Sequence, residues 1–313
     1  MNRILRSVVA VWAGMWLFDG VPAHGQAIPD SIPKHQTEDL GNGLYTFRTE
    51  AYRSIFLVSD KGVIVTDPIS TEHAAAFRQA IAEITDQPVK YVAYSHSHWD
   101  HASGGQIFKD EGAKFVAQEH CLINLDMSPN PEIVPADITF EDRHKIRLGD
   151  VSLEMFYFGP SHDTCMVVML ARPANILFVV DVLTPPTGYY VPFDDILPDF
   201  HLYNAVSFFS QIEDLVAREG IETLVGGHLL LGTDETGKVV ARPSTGPAVA
   251  VTERRIFWEM AIGEVRKALD TGASPLFVHE QMDTSAFKDM RGYSDARMKR
   301  VFRRISSYFV TGR

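Results

Sequence analysis

Between about residues 42 and 228, short apolar runs ending in turn formers alternate with longer stretches whose apolar residues recur every three or four positions. Strands are expected at 43–47, 54–59 and 63–66, the last two joined by the hairpin turn Asp60-Lys61-Gly62. Asp67-Pro68 closes the third strand, and 71–85 reads as a helix with Ala74, Phe77, Ile81 and Ile84 on one face. Strand, helix and strand follow at 91–95, 104–111 and 115–117. The second half repeats this rhythm, with strands at 146–148, 151–158, 166–170 and 176–180, a helix at about 203–218 and a strand at 223–225. Two β-rich halves, each with its helices outside, predict an α/β fold: a four-layer αββα sandwich whose strand ends meet at one edge.

After residue 235 the pattern becomes helical. Thr252 is the candidate cap of a helix from 253 to about 270, and Gly272 its stop. A last helix, about 294–310, puts Met298, Val301, Phe302, Ile305 and Phe309 on one stripe. Arg297, Lys299, Arg300, Arg303 and Arg304 fill much of the remainder. We read it as a helix that caps the core with a solvated basic face, in preference to a membrane-surface or dimer helix.

The N-terminus is different in kind. Arg3 and Arg6 precede an apolar stretch at 8–18, and the small residues Ala23, Gly25 and Ala27 follow. Such a stretch is too short to span a bilayer. It predicts a signal peptide over 1–26, no stable membrane anchor, and a periplasmic or secreted protein. The remainder, 27–313, is expected to form one domain with a helical extension from about 246. Export would permit a disulfide between Cys121 and Cys165, the two cysteines of the chain. Cys165 lies in an apolar run, and the plainer expectation is a small buried apolar residue.

The chain has 313 residues, 45% of them hydrophobic and 22% charged, as in ordinary soluble domains. Its net charge is −11, and no cluster of lysines or arginines flanks the candidate site. Nucleic acid is therefore not an expected partner, because phosphate binding needs a basic surface. A small-molecule substrate is expected, and a homo-oligomer is compatible with the sequence.

The candidate chemistry begins at residues 95–101, Ser-His-Ser-His-Trp-Asp-His. The run before it, 88–94, reads as a buried strand, so His96 and His98, two apart, can face one ion. Asp100 and His101 come after a turn toward Gly104-Gly105 and would aim at a second position. Imidazole and carboxylate suit a borderline divalent ion such as zinc. Three further ligand types each follow an apolar run: His162 after 151–158, Asp181 after 176–180, and His228 after 223–227.

This set resembles the metallo-β-lactamase superfamily, whose motif is His-x-His-x-Asp-His followed by a His, an Asp or Cys, and a final His. The match covers about residues 40 to 235. The resemblance implies that His96, His98 and His162 hold one metal and that Asp100, His101 and His228 hold the other, with Asp181 bridging. It implies two Zn2+ ions, with iron or manganese as alternatives. Asp at 181, where the familiar lactamase branch has Cys, is similar to glyoxalase II-like and general hydrolase branches. The segment Asp181-Val182-Leu183-Thr184-Pro185 is also similar to a lactamase branch with Asp-Ser-Leu-Thr there, although Val replaces Ser. In the family a residue like Asp67 supports the cluster from behind; here it is equally a candidate helix N-cap.

The expected activity is that of a metal-dependent hydrolase acting on a small ester, lactone or amide. Two zinc ions sharing a water would lower its pKa from about 15.7 toward 7, giving hydroxide at neutral pH. Asp100 and Asp181 would orient it and pass its proton to the leaving group. No Gly-x-Ser-x-Gly elbow suggests a protein nucleophile. The aromatic loop at 185–193 leaves the same strand end as Asp181. Tyr189, Tyr190 and Phe193 are therefore candidates for a substrate wall, one of the tyrosines as a donor to a developing oxyanion. Trp99, between two ligands, is a further candidate. Asp194, Asp195 and Asp199 near this loop favour a neutral or cationic substrate. The alternatives are a periplasmic metallo-β-lactamase, an iron-dependent persulfide dioxygenase-like enzyme, and a non-catalytic zinc-binding protein.

Overall fold

Two sheets, of seven and six strands, form the middle of the computed structural model, which describes residues 28–192 and 200–312. The expected signal peptide lies outside the described residues. The first sheet opens with an antiparallel meander of β1 (His35–Gly41), β2 (Leu44–Thr49), β3 (Tyr52–Ser59) and β4 (Gly62–Thr66). It continues in parallel through β5 (Val89–Ala93), β6 (Lys114–Gln118) and β7 (Ile138–Phe140). Parallel neighbours need crossovers, and helices supply them. These are α1 (Thr71–Ala82), the short α2 (Trp99–Ala102) and α3 (Gln106–Asp110), and α4 (His120–Met127).

The second sheet pairs β8 (Arg143–Leu148), β9 (Val151–Tyr157), β10 (Val167–Arg172) and β11 (Ile176–Val179) antiparallel. Helix α5 (Ala205–Glu219) then crosses over to β12 (Thr223–Gly226), which runs parallel to β11. A small hairpin of β13 (Leu231–Thr233) and β14 (Val239–Ala241) precedes the edge strand β15 (Thr245–Pro247). Helices α6 (Val249–Asp270), α7 (Val278–Gln281) and α8 (Asp295–Thr311) complete the chain.

Three apolar interfaces separate four layers. Leu57, Ile64, Met155, Met169 and Phe178 meet between the sheets. Phe77, Ile81, Phe108 and Phe115 pack helices on the outside of the first sheet. Phe208, Ile212, Trp258 and Phe302 do the same for the second. Strands covered on both faces read as unbroken apolar runs, and all of β4 is buried. The αββα sandwich expected from the sequence is the observed fold.

The departures have local causes. β1 escaped the pattern reading because His-Gln-Thr-Glu-Asp-Leu-Gly carries no apolar alternation; it is a half-exposed edge strand. α6 begins at Val249, so Thr252 lies inside it and is not its cap. Ala250 and Val251 are buried in the second core, and that packing extends the first turn without a capping side chain. α8 matches expectation closely: the Ser294 side chain accepts from the Arg297 N–H, and Met298, Val301, Phe302 and Ile305 are buried in the core. Among the described residues no helix is long and apolar enough to cross a membrane.

Candidate metal centre

The ends of β5 and β11 and the turn after β12 bring the candidate ligands to one edge. Past β5 the chain bends at Ser95 and Ser97 and reaches His98, whose extended backbone (ψ near 141°) precedes the single turn of α2. That turn swings Asp100 and His101 away from His96 and His98. Gly104 makes the next bend at φ +83°, where a Cβ would sit 2.0 Å from the Ser70 carbonyl carbon. Only glycine lets this loop lie against the turn that carries Asp67. The Ile69 N–H then donates to the His101 carbonyl at 2.9 Å.

Asp181 occupies the middle at φ +58°, a conformation costly for a residue other than glycine. Its Oδ2 lies 3.3 Å from His96 Nε2, 3.3 Å from His101 Nε2 and 3.4 Å from His162 Nε2. Its Oδ1 lies 2.5 Å from His228 Nε2. Two groups result, His96 with His98, His162 and Asp181, and His101 with Asp181 and His228. Within each group the ligand-type atoms lie within 4.8 Å of one another. Asp100 stands just outside both groups. Its Oδ2 is 4.0 Å from His101 Nε2 and accepts a hydrogen bond from the Tyr52 hydroxyl at 3.2 Å.

The electrostatics follow from packing this many titratable groups together. Burial would raise the Asp181 carboxyl, but His101 and His228 hold it well below the usual range. Burial also lowers His101, yet Asp181, Asp67 and Asp100 more than offset it and bring it up to about 9. Burial pushes His162 down to about 3 and lowers His98. His96 Nε2 and His101 Nε2 are buried and have no hydrogen-bond partner. Unpartnered buried nitrogens are costly, and a divalent cation would satisfy them. The imidazole and carboxylate set therefore fits a metal of the zinc type.

Asp67 does not cap α1; Ser70 does, accepting from the His73 N–H. Asp67 instead accepts from the Ser95 N–H at 2.7 Å and stands 3.8 Å behind His101 Nδ1. The sequence left the pairing of the two cysteines open, and both are buried. Cys121 and Cys165 form a disulfide with Cα atoms 5.2 Å apart. A separation of 44 residues hid that α4 lies over the turn after His162. This bridge brackets a polar network centred on Asp163. Asp163 accepts from Ser97 N at 2.8 Å, Ser97 Oγ at 2.5 Å and Asn124 Nδ2 at 2.7 Å. It thereby ties the His98 segment to the His162 segment.

A family profile described as the Metallo-beta-lactamase superfamily matches residues 48–228. The chain belongs to the metallo-β-lactamase superfamily. One similar curated protein is the 2,4-dinitroanisole O-demethylase subunit alpha of Nocardioides sp. (strain JS1661), 26% identical over 51% of this chain and 50% of that one. Another is the metallo-beta-lactamase type 2 of Elizabethkingia meningoseptica, 28% identical over 48% of this chain and 61% of that one. The chain thus matches between about half and three fifths of the length of these relatives. The solved metallo-beta-lactamase from Pontibacter korlensis superposes with a TM-score of 0.58 over 72% of this chain and 99% of its own, at 16% identity. The sec-alkyl sulfatase PisA1 gives 0.65 over 88% of this chain and 50% of its own, at 14% identity. At these identities the superpositions speak for the fold. The expectation of a metallo-β-lactamase superfamily enzyme stands.

Beside the His98 and His162 group of this superfamily member lies a cavity of about 940 Å³. Trp99 lines it and is 50% exposed, as an aromatic wall residue would be. Tyr190 does not belong to it. Its ring is buried between Arg254 and Arg291, and its hydroxyl accepts from Thr184 N at 3.2 Å. Tyr190, one of the two candidate oxyanion donors, is thus a packing residue. The loop is pulled onto α6, where Gly188 sits so close that a Cβ would meet the Ala250 carbonyl oxygen at 2.1 Å. Tyr189 does not line the cavity either. Phe193, with Asp194, Asp195 and Asp199, lies outside the described residues. Leu125, Tyr203 and Arg304 form further wall, and sequence reading missed all three along with Tyr52 and Asp163. Only Asp163, a carboxylate next to His162, left a signal that could have been followed.

Proposed function

We propose that the chain is an exported hydrolase that holds two zinc ions and cleaves a small ester, lactone or amide. The observation that carries this reading is the convergence of His96, His98, His101, His162 and His228 on the buried Asp181. By this reading His96, His98 and His162 hold one ion, His101 and His228 hold the other with Asp100, and Asp181 lies between. The ions would supply Lewis acidity and a water acidified to near neutral pH. Asp181 would be the shared anion facing both imidazole groups, its ionised form favoured by His101 and His228. Asp100, the exposed carboxylate at the rim, is the group placed to take a proton from the reacting water and pass it to the leaving group. Trp99, Leu125 and Tyr203 would flank the apolar body of the substrate. The disulfide favours a periplasmic or secreted location, since such bonds persist in oxidising compartments.

A second reading, hydrolysis of β-lactams, is favoured by the 28% identity to a metallo-beta-lactamase type 2. One experiment separates the two. Zinc-loaded protein is assayed for loss of β-lactam ring absorbance and, in parallel, against chromogenic esters and lactones, with His96→Ala and chelator-treated protein as controls. We expect ester or lactone turnover that both controls abolish. β-Lactam turnover alone would replace the first reading with the second. Inertness of protein carrying two ions toward all three classes would refute both.

A further inference from the structure

The two groups of candidate ligands are not braced alike. Asp163 and Asn124 stand behind the segments carrying His98 and His162. Around His101 and His228 the corresponding neighbour is Tyr52, the first residue of β3. Its position is itself tightly determined. Tyr52 forms an isolated antiparallel bridge with His228, and the flanking backbone is zipped by Arg53 N to Gly227 O and Leu229 N to Ala51 O, each 2.7 Å. The buried Arg53 guanidinium donates to the Gly226 and His228 carbonyls at 2.9 and 2.7 Å. The turn at Tyr52 and the loop of His228 thus move as one piece. The Tyr52 ring packs edge-on to His101 at 5.6 Å and tilted over His228 at 5.0 Å. Its hydroxyl reaches Asp100 Oδ2.

We propose that Tyr52 is a positioning residue for this half of the centre, its hydroxyl setting the direction of the Asp100 carboxylate and thereby the strength with which the second ion is held. Asp100 is the ligand candidate most in need of such help. It sits on a four-residue helix, its side chain is 44% exposed, and it lies outside the tight groups. An exposed carboxylate without a fixed donor samples several rotamers, and ordering it costs free energy when an ion arrives. A partner that holds the carboxylate in place removes that cost, as outer-sphere hydrogen bonds to metal ligands generally do. The inference rests on the two-ion reading above.

The test counts bound zinc by mass spectrometry and measures stepwise affinity by competition with a chromophoric chelator, on the wild type, Tyr52→Phe and Tyr52→Ala. Tyr52→Phe keeps the ring on both imidazoles and removes only the hydroxyl. We expect the second ion to bind about 10–100-fold more weakly in Tyr52→Phe, with the first unchanged. Asp100→Asn should give a loss of the same kind. A wild type with two ions and a Tyr52→Phe variant with both affinities unaltered would overturn the role of Tyr52 alone. Equal weakening of both ions would also overturn it, since the effect would then be general loosening. A wild type that takes up a single ion would overturn both this inference and the reading it rests on. Thermal unfolding of the metal-free proteins separates misfolding from a lost hydroxyl, because Tyr52→Phe should melt with the wild type.

Discussion

The two halves of the centre share Asp181 but are built differently. His96, His98 and His162 lie where strand ends meet, and Asp163, Ser97 and Asn124 join their segments in a buried network closed by the Cys121–Cys165 disulfide. His101 and His228 lie on a single helical turn and a loop, with the exposed Asp100 held by one tyrosine hydroxyl. The lesson is that equivalent ligands need not have equivalent supports. A ligand braced by many hydrogen bonds is ordered before an ion arrives, whereas an exposed carboxylate such as Asp100, held by one hydroxyl, is ordered in part by the ion.

Four variants probe that contrast, and the largest effect should erase it. Asp181→Ala removes the carboxylate common to both halves. Bound zinc should fall in both, and hydrolysis should drop by more than the roughly 100-fold upper cost of an outer-sphere change. Retention of one tight ion in this variant would show that the halves are independent.

Asp163→Ala tests the stronger brace. It leaves the Ser97 and Asn124 donors without their acceptor, at a cost of about 1–3 kcal/mol in stability measured by urea unfolding of metal-free protein. The ion of the His98 and His162 half should weaken by about 10–100-fold, with the other ion less affected. An equal loss in both halves would dissolve the comparison.

The paired substitution Cys121→Ser with Cys165→Ser should lower stability by about 2–4 kcal/mol, read from the urea midpoint. Its effect on zinc should be smaller than that of Asp163→Ala, because the network itself stays in place. The smallest effect is expected from Tyr52→Phe, confined to the second ion as described above.

Much of the architecture was legible in the chain. The apolar runs of β3, β4, β9, β10 and β11 and the stripe of α8 mark their own boundaries because buried strands and helices must be apolar with a fixed period. The polar edge strand β1 lacks that mark, since its stability comes from pairing with β2. Trp99, beside the ligands in sequence, was also found beside the cavity. Tyr190 was misread because a position next to Asp181 in sequence says nothing of which way a loop folds, and Arg254 on α6 draws its ring inward.

By itself, then, the sequence determined the layer order and the set of ligand-type side chains, because periodicity and donor chemistry are properties of short segments. Tertiary structure alone decided that Asp163 joins His98 to His162, that Tyr52 faces Asp100, that the two cysteines meet, and that α8 brings Arg304 to the cavity. These pairs are brought together by the docking of sheet ends and helices whose residues lie tens to hundreds of positions apart. No local pattern records such a meeting, since each partner's own segment is satisfied equally well without it.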